Sequence, residues 1–211
     1  MDRRPWRADV DEEGRRGICN RCAVAGRDVE DCRGGNFGAG DKFMGGSVMK
    51  VLDPCCGSRM MWFNKNNPEA VFGDKRKEIH LLKDRKYLRK LEINPDVVMD
   101  FTNIPFPDNT FAVVVFDPPH LQRAGEKSWL AKKYGVLGNE WREDFRKGFA
   151  ECFRVLRPDG ILIFKWSENQ IPVKEILALT NVEPLIGHVS MKHKQNQTQT
   201  HWITFLKEEA S

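Results

Sequence analysis

Four short apolar runs in this chain each end in an aspartate: VMKVLD (48–53), EAVFGD (69–74), DVVMD (96–100) and FAVVVFD (111–117). A fifth run, GILIFKW (160–166), lacks the terminal acid. Continuous apolar runs of this length suit parallel strands buried on both faces, where no polar alternation is needed. Between the last two runs lies EWREDFRKGFAECFRVLRPDG. There Trp141, Phe145, Phe149, Cys152, Phe153 and Leu156 recur at helical spacing, and Pro158-Asp159-Gly160 stops the helix. IPVKEILALT predicts another helix, and EPLIGHVS and THWITFLK predict two closing strands. Strands alternating with helices imply a wound α/β sheet.

One segment fits two patterns. In DKRKEIHLLKDRKYLRKLEIN, Ile79, Leu81, Leu91 and Ile93 alternate at strand spacing, whereas Leu82, Lys86 and Lys90 would align on a helix. The alternation favours a hairpin. Its eight Lys/Arg between positions 75 and 90, against two acids, suit a solvated face or contact with phosphate. Residues 1–46 have a different texture, rich in Arg, Asp and Gly with few branched aliphatics. They read as an N-terminal arm or small module beside a main domain spanning 47–211.

With 211 residues, 40% hydrophobic and 30% charged, the chain can bury one generous core. No run is long enough to span a membrane, and the N-terminus lacks the apolar stretch of a signal peptide, so a cytoplasmic protein is expected. Its cysteines are then thiols or ligands rather than disulfides. Cys19-x₂-Cys22 followed by Cys32 is part of a zinc pattern without its fourth ligand; free thiols are the other reading. The formal charge of +4 permits a polyanionic partner without requiring one.

In an open α/β sheet, ligands bind beyond the carboxyl ends of the strands. The turn after the first strand, DPCCGS, holds only Gly57, so it lacks the G-x-G-x-x-G of a dinucleotide fold. Asp74 is well placed to accept hydrogen bonds from a ribose diol, and Asp100 from an exocyclic amine of adenine. A single strand-end aspartate is commonly a turn cap. Three in register, followed by Asp117, point to a nucleoside-containing cofactor.

VLDPCCGS, then Asp74, then MDFTNIPFPDNTFAVVVFDPP, then ECFRVLRPDGILIF together resemble the class I S-adenosylmethionine-dependent methyltransferases over residues 48–206. The resemblance implies a Rossmann-like, seven-stranded, mostly parallel sheet with an antiparallel last strand and helices on both faces. It implies S-adenosyl-L-methionine as cofactor, with Asp53, Pro54, Cys55 and Gly57 at its methionine end, Asp74 at its ribose, and Asp100 with Phe101 or Thr102 at its adenine. Arg59 stands where many relatives have a second glycine.

The stretch FDPPH (116–120) resembles the D-P-P-[YFW] motif of methyltransferases that modify exocyclic amines of nucleobases, and DPCCGSRM with FDPPH is similar to compact phage-type DNA amino methyltransferases. An aromatic amine is a poor nucleophile because its lone pair is delocalised into the ring. Asp117 and a backbone carbonyl, that of Pro118, would each accept one N–H and favour a tetrahedral nitrogen. Pro118 and Pro119 hold those acceptors at little entropic cost. His120 stands at the base-stacking position of the motif, with capping of the next turn as its other reading. Cytosine C5 chemistry typically needs a Pro-Cys pair after the fourth strand, whereas the chain's Pro54-Cys55 follows the first.

The insertion LQRAGEKSWLAKKYGVLGNEW mixes Arg123, Lys127, Lys132 and Lys133 with Trp129 and Tyr134, which suits a flipped nucleotide or an aromatic-lined lid. The expected activity is methyl transfer to adenine N6 in DNA. RNA (adenine N6 or guanine N2) and a small-molecule acceptor remain alternatives. The sequence shows no separate target-recognition domain of the size sequence-specific DNA enzymes often have, which leaves a short recognition site, a small structural target, or a partner subunit or homodimer.

Overall fold

The computed structural model describes residues 50–84, 87–125, 128–190 and 198–208, with side chains described throughout except at 82–87. The N-terminal arm expected over 1–46, and with it Cys19, Cys22 and Cys32, lies outside these residues, as does Lys127.

In chain order the elements are β1 (Val51–Asp53), β2 (Ala70–Asp74), β3 (Glu78–Asp84), β4 (Tyr87–Ile93), β5 (Val97–Val98) and β6 (Phe111–Phe116). They continue as α1 (Trp129–Tyr134), α2 (Trp141–Val155), β7 (Leu156–Glu168), α3 (Val173–Leu177), β8 (Ile186–Val189) and β9 (Gln199–Leu206). Seven strands form one sheet in the order β5-β2-β1-β6-β7-β9-β8. Pairing is parallel from β5 to β7, and β9 runs antiparallel to both of its neighbours. This is the seven-stranded, mostly parallel sheet with a reversed last strand that the sequence resemblance implies. The chain moves outward from β1 to β5 and then returns to the other side of β1 as β6. That reversal opens a crevice at the carboxyl ends of β1 and β6.

The ambiguous basic segment is the two-stranded hairpin β3–β4. Period-two alternation prevails because it sends Leu91 and Ile93 inward, 6% and 1% exposed. Ile79 and Leu81 belong to the other face, opposite Glu92 and Lys90, and are exposed. The strand expected over 96–100 is shorter, because after Val98 the chain turns back through a bridge between Asp100 and Asn103. β7 is longer than its apolar run. Leu156 pairs with Phe111 immediately after α2, and the irregular stretch that follows contains Asp159 at φ 58°.

The core is built on one face of the sheet. Leu52, Val71, Val114, Phe116, Leu162, Phe164, Trp166, Ile203 and Phe205 meet Trp141, Phe145, Phe149, Cys152 and Val155 of α2 and Ile176 of α3. Burying each large side chain of this set contributes roughly 1.5–3 kcal/mol. Across the sheet, Ala70, Phe72 and Cys56 form a smaller cluster with Val51 and Trp62.

The two stretches IPFPDNTF and FRVLRPDG, far apart in sequence, are joined by one side chain. Arg154 at the end of α2 donates to the carbonyls of Ile104 and Phe106 and to Asp108, while Glu151 accepts from Ile104 N and pairs with Arg154. The loop that enters β6 is thereby fixed to the helix that leaves it. No helix among the described residues is long and apolar enough to cross a membrane.

Candidate active site

The four strand-end aspartates converge at the crevice but do different work. Asp53 is fully buried. Its carboxylate folds back to accept from Cys55 N (3.2 Å) and from the Trp62 indole (2.7 Å). Burial, opposed by the Trp62 bond and reinforced by the charge of Asp117, raises its pKa to about 7. Asp53, expected at the methionine end of a cofactor site, lines neither of the two cavities beyond the strand ends; each of its oxygens accepts one bond from the loop, which it braces.

The departure at Arg59 is explained by what it holds. Its φ of 53° lies in the left-handed region, which costs a non-glycine residue on the order of 1 kcal/mol. Its guanidinium donates to Lys65 O, Asn94 O and Asp96, and lies 3.9 Å from the centroid of the Phe72 ring. Gly57 adopts a positive φ of 50° in the same turn. One arginine thus ties the loop after β1 to the strand entry of β5.

Beyond these strand ends lies a cavity of about 230 Å³. Pro54 and Cys55 face it after β1, Asp74, Lys75 and Arg76 after β2, and Asp100, Phe101 and Thr102 after β5. Asp117 and Pro119 close it after β6, and Tyr134 to Gly138 and Asp144 form the far wall. Asp74 accepts from Gly57 N (3.0 Å) and from the backbone and guanidinium of Arg76, and the same guanidinium donates to Lys132 O of α1 (3.0 Å). Asp100 accepts from the amide and hydroxyl of Thr102, both at 2.9 Å. Partial burial pushes its carboxyl up, but those two bonds and Lys75 outweigh it and hold the group below the usual carboxylate range. Phe101 stacks edge-on to Phe116 at 5.4 Å.

A second, smaller cavity of about 50 Å³ adjoins the first. Gly57, Ser58, Met60, Met61, Pro118, Lys133 and Lys165 line it, and Cys55, Arg76, Asp117 and Tyr134 face both spaces. Asp117 therefore stands on the shared wall. Its Oδ2 accepts from Lys165 Nζ at 2.6 Å, with both side chains less than one-fifth exposed. Burial raises the pKa of Asp117, and Lys165 works against that rise. Burial also lifts the Cys55 thiol well above its ordinary range, so it stays protonated and is no nucleophile.

Lys165 escapes a motif search, although a lysine inside the apolar run GILIFKW was a visible signal. The parallel register pairs Phe164 with Phe116, which sets Lys165 beside Asp117.

His120, expected as a stacking platform or a turn cap, is largely enclosed in the structure. It is 8% exposed, 4.9 Å from the Tyr134 ring centroid and 6.3 Å from that of Trp166. Burial, with Lys165 adding to it, lowers its pKa to about 4. The imidazole lies in neither cavity lining, tilted against Tyr134 and edge-on to Trp166.

Of the insertion, Tyr134 and Lys133 reach the cavities. Lys132 contributes its carbonyl to Arg76, and Trp129 lies on the surface with Lys133 over its ring at 5.5 Å. Arg123 is bound through its backbone to Gln170 and does not line either space. Among the described residues no cluster of His, Cys, Asp and Glu could hold a metal ion.

No family model and no curated protein matches the chain. Among solved structures it is similar to a SAM-dependent methyltransferase from Methanosarcina mazei, at 12% identity and TM-score 0.48 over 77% of this chain and 94% of that one. It is also similar to a TehB-like SAM-dependent methyltransferase from Corynebacterium glutamicum, at 16% identity and TM-score 0.46 over 89% and 93%. A third is an rRNA methylase from Streptococcus thermophilus, at 9% identity and TM-score 0.41 over 77% and 91%. Likenesses this distant carry nothing about substrate to this chain, and the fold rests on its own strand order.

Proposed function

We propose that the chain transfers a methyl group from S-adenosyl-L-methionine to an exocyclic amino group of a nucleobase, adenine N6 in DNA foremost. The observation that carries this reading is the place of Asp117 and Pro118. Asp117 faces both cavities and Pro118 the smaller, so one rigid turn borders both spaces, the larger read as the cofactor's and the smaller as the entry for the acceptor amine.

The residues of the larger cavity fit the cofactor in kind. Asp100 and Thr102 offer acceptor and donor groups for an adenine edge, and Phe101, Val136 and Leu137 offer apolar walls for its ring. Asp74 suits a ribose diol that shares it with Gly57 N and Arg76. Pro54, Cys55 and Asp117 suit the methionine end, where a carboxylate favours a sulfonium charge. When bound, the cofactor supplies an electrophilic methyl group. The chain's own part is to orient the amine: Asp117 accepts one N–H, the Pro118 carbonyl the other, and the proton the nitrogen gives up leaves by way of Asp117 or water.

The test is direct. The full chain is incubated with methyl-labelled cofactor and unmethylated DNA or RNA, and the nucleic acid is digested to nucleosides and weighed by mass spectrometry. N6-methyladenosine in its deoxy form is expected. Label in ribonucleosides alone would make RNA the substrate, and label in neither would remove nucleic acid as the acceptor.

A further inference from the structure

Deepening the proposed function, on which it rests, we infer that Lys165 is a positioning residue of the methyl-transfer site: it clamps Oδ2 of Asp117 and leaves Oδ1 aimed at the acceptor amine. The clamp is short, 2.6 Å, and lies where water is largely excluded. Among the described residues Oδ1 accepts no hydrogen bond, so Asp117 keeps one acceptor for a ligand. Lys165 also lines the smaller cavity, and its Nζ lies 5.7 Å from the centroid of the Trp202 ring on β9. It is therefore held from two strands rather than free to swing.

A buried carboxylate next to an amine has two ways to fail. It can protonate, and then its hydroxyl donates where the amine needs an acceptor. It can also rotate, and then the N–H is not held along the direction that leaves the lone pair facing the methyl group. Lys165 opposes both failures. Burial favours the neutral acid, and Lys165 is the cation in direct contact that favours the charged form.

Other groups around Asp117 are not substitutes. Asp53 and Cys55 after β1 are, respectively, acidic and a protonated thiol, and Asp74 after β2 is engaged by Arg76. Arg76 also faces both cavities, but its guanidinium is committed to Asp74 and Lys132 O. On α1, Lys133 lies over the rings of Trp129 and Tyr134, and His120 is neutral.

Two measurements on the full chain test the role, using Lys165→Met, Lys165→Arg and, as the assignment control, Asp117→Asn. The first follows the Asp117 carboxyl by carbon-13 NMR against pH and needs no activity. In Lys165→Met its titration should move up by about 1 pH unit or more, and Lys165→Arg should restore it. The second is the pH profile of kcat/KM on the nucleic acid methylated by the wild type. The acidic limb should move to higher pH in Lys165→Met by a similar amount. Cofactor affinity, read by calorimetry with S-adenosylhomocysteine, should change less than about twofold.

If transfer occurs but neither the titration nor the limb moves, the positioning role is overturned and the proposed function stands. If the wild type methylates no nucleobase amine while the titration still moves, the proposed function falls, and the pair is a structural one.

Discussion

On the proposed function Asp117 must carry a charge, yet it sits where burial disfavours one, and the residues around it bear on how that is managed. Lys165 opposes the effect of burial, Pro118 and Pro119 fix the backbone, and Cys55 stays a neutral thiol. On that reading, Asp117→Ala is expected to lower transfer at least about a thousandfold while leaving affinity for the uncharged S-adenosylhomocysteine within a few fold, because the acceptor of the amine and the charge that favours the sulfonium are what is lost. Calorimetry beside the nucleoside assay separates the two, and loss of both would mean a structural role. His120 bears on the same question from the opposite side. Its pKa of about 4 keeps it neutral throughout the working range, so an acidic limb above pH 5 must come from another group. The sequence pattern reads this residue as a base platform, and only its partners Tyr134 and Trp166, from α1 and β7, reveal a buried role.

The elements hold the site through a few long side chains and one glycine. An added Cβ at Gly148 of α2 would come within 2.6 Å of Phe101 Cδ2 and 3.2 Å of Phe116 Cζ. Alanine there favours the helix by about 0.5–1 kcal/mol, yet it must push Phe101 toward the cavity. Gly148→Ala is therefore expected to weaken cofactor binding and to cost about 1–3 kcal/mol of stability, which calorimetry and a melting curve report together. Arg154 carries the opposite kind of load, far from the chemistry. Its replacement by alanine removes one donor from the Ile104 and Phe106 carbonyls and the ion pairs to Glu151 and Asp108, and should cost about 2 kcal/mol, seen as a fall in Tm of roughly 4–8 °C. Helix α2 itself is legible in the sequence, since Trp141, Phe145, Phe149 and Cys152 repeat at 3.6. The hairpin β3–β4 is legible from its period of two. The job of Arg154 is not, because its acceptors lie about 50 residues away.

For the molecule as a whole, two buried titrating groups tilt stability in opposite directions. His120 is neutral in the folded chain down to about pH 4, whereas the unfolded imidazole binds its proton near 6.5. Stability falls as pH drops through that window, by on the order of 3 kcal/mol. Asp53 has a folded pKa raised to about 7 against 3.8, so its contribution is present at low pH and is lost as pH rises through 7. The two slopes oppose one another between pH 4 and 6.5. Asp117, whose pKa burial also raises, leans the same way as Asp53, so in urea unfolding the pH slope of the wild type should lie between those of the two single variants. Asp53→Asn should show stability rising with pH, and His120→Phe should show it falling. The same slope in all three proteins would remove both assignments.

The apolar runs, the helical repeat of α2 and the strand-end aspartates determine a wound α/β sheet and the end of it that carries chemistry, because burial period and strand polarity are properties of local sequence. FDPPH likewise specifies a rigid turn from its own two prolines. What the tertiary structure alone decided is how the four aspartates divide their work. Asp53 braces a loop, Asp74 answers to Arg76, Asp100 to Thr102, and Asp117 to Lys165. The key pairing, that of Asp117 with Lys165, comes from the register of two parallel strands whose residues lie 48 apart. An ion pair across such a distance depends on which strands become neighbours, and that is settled only when the whole sheet has formed.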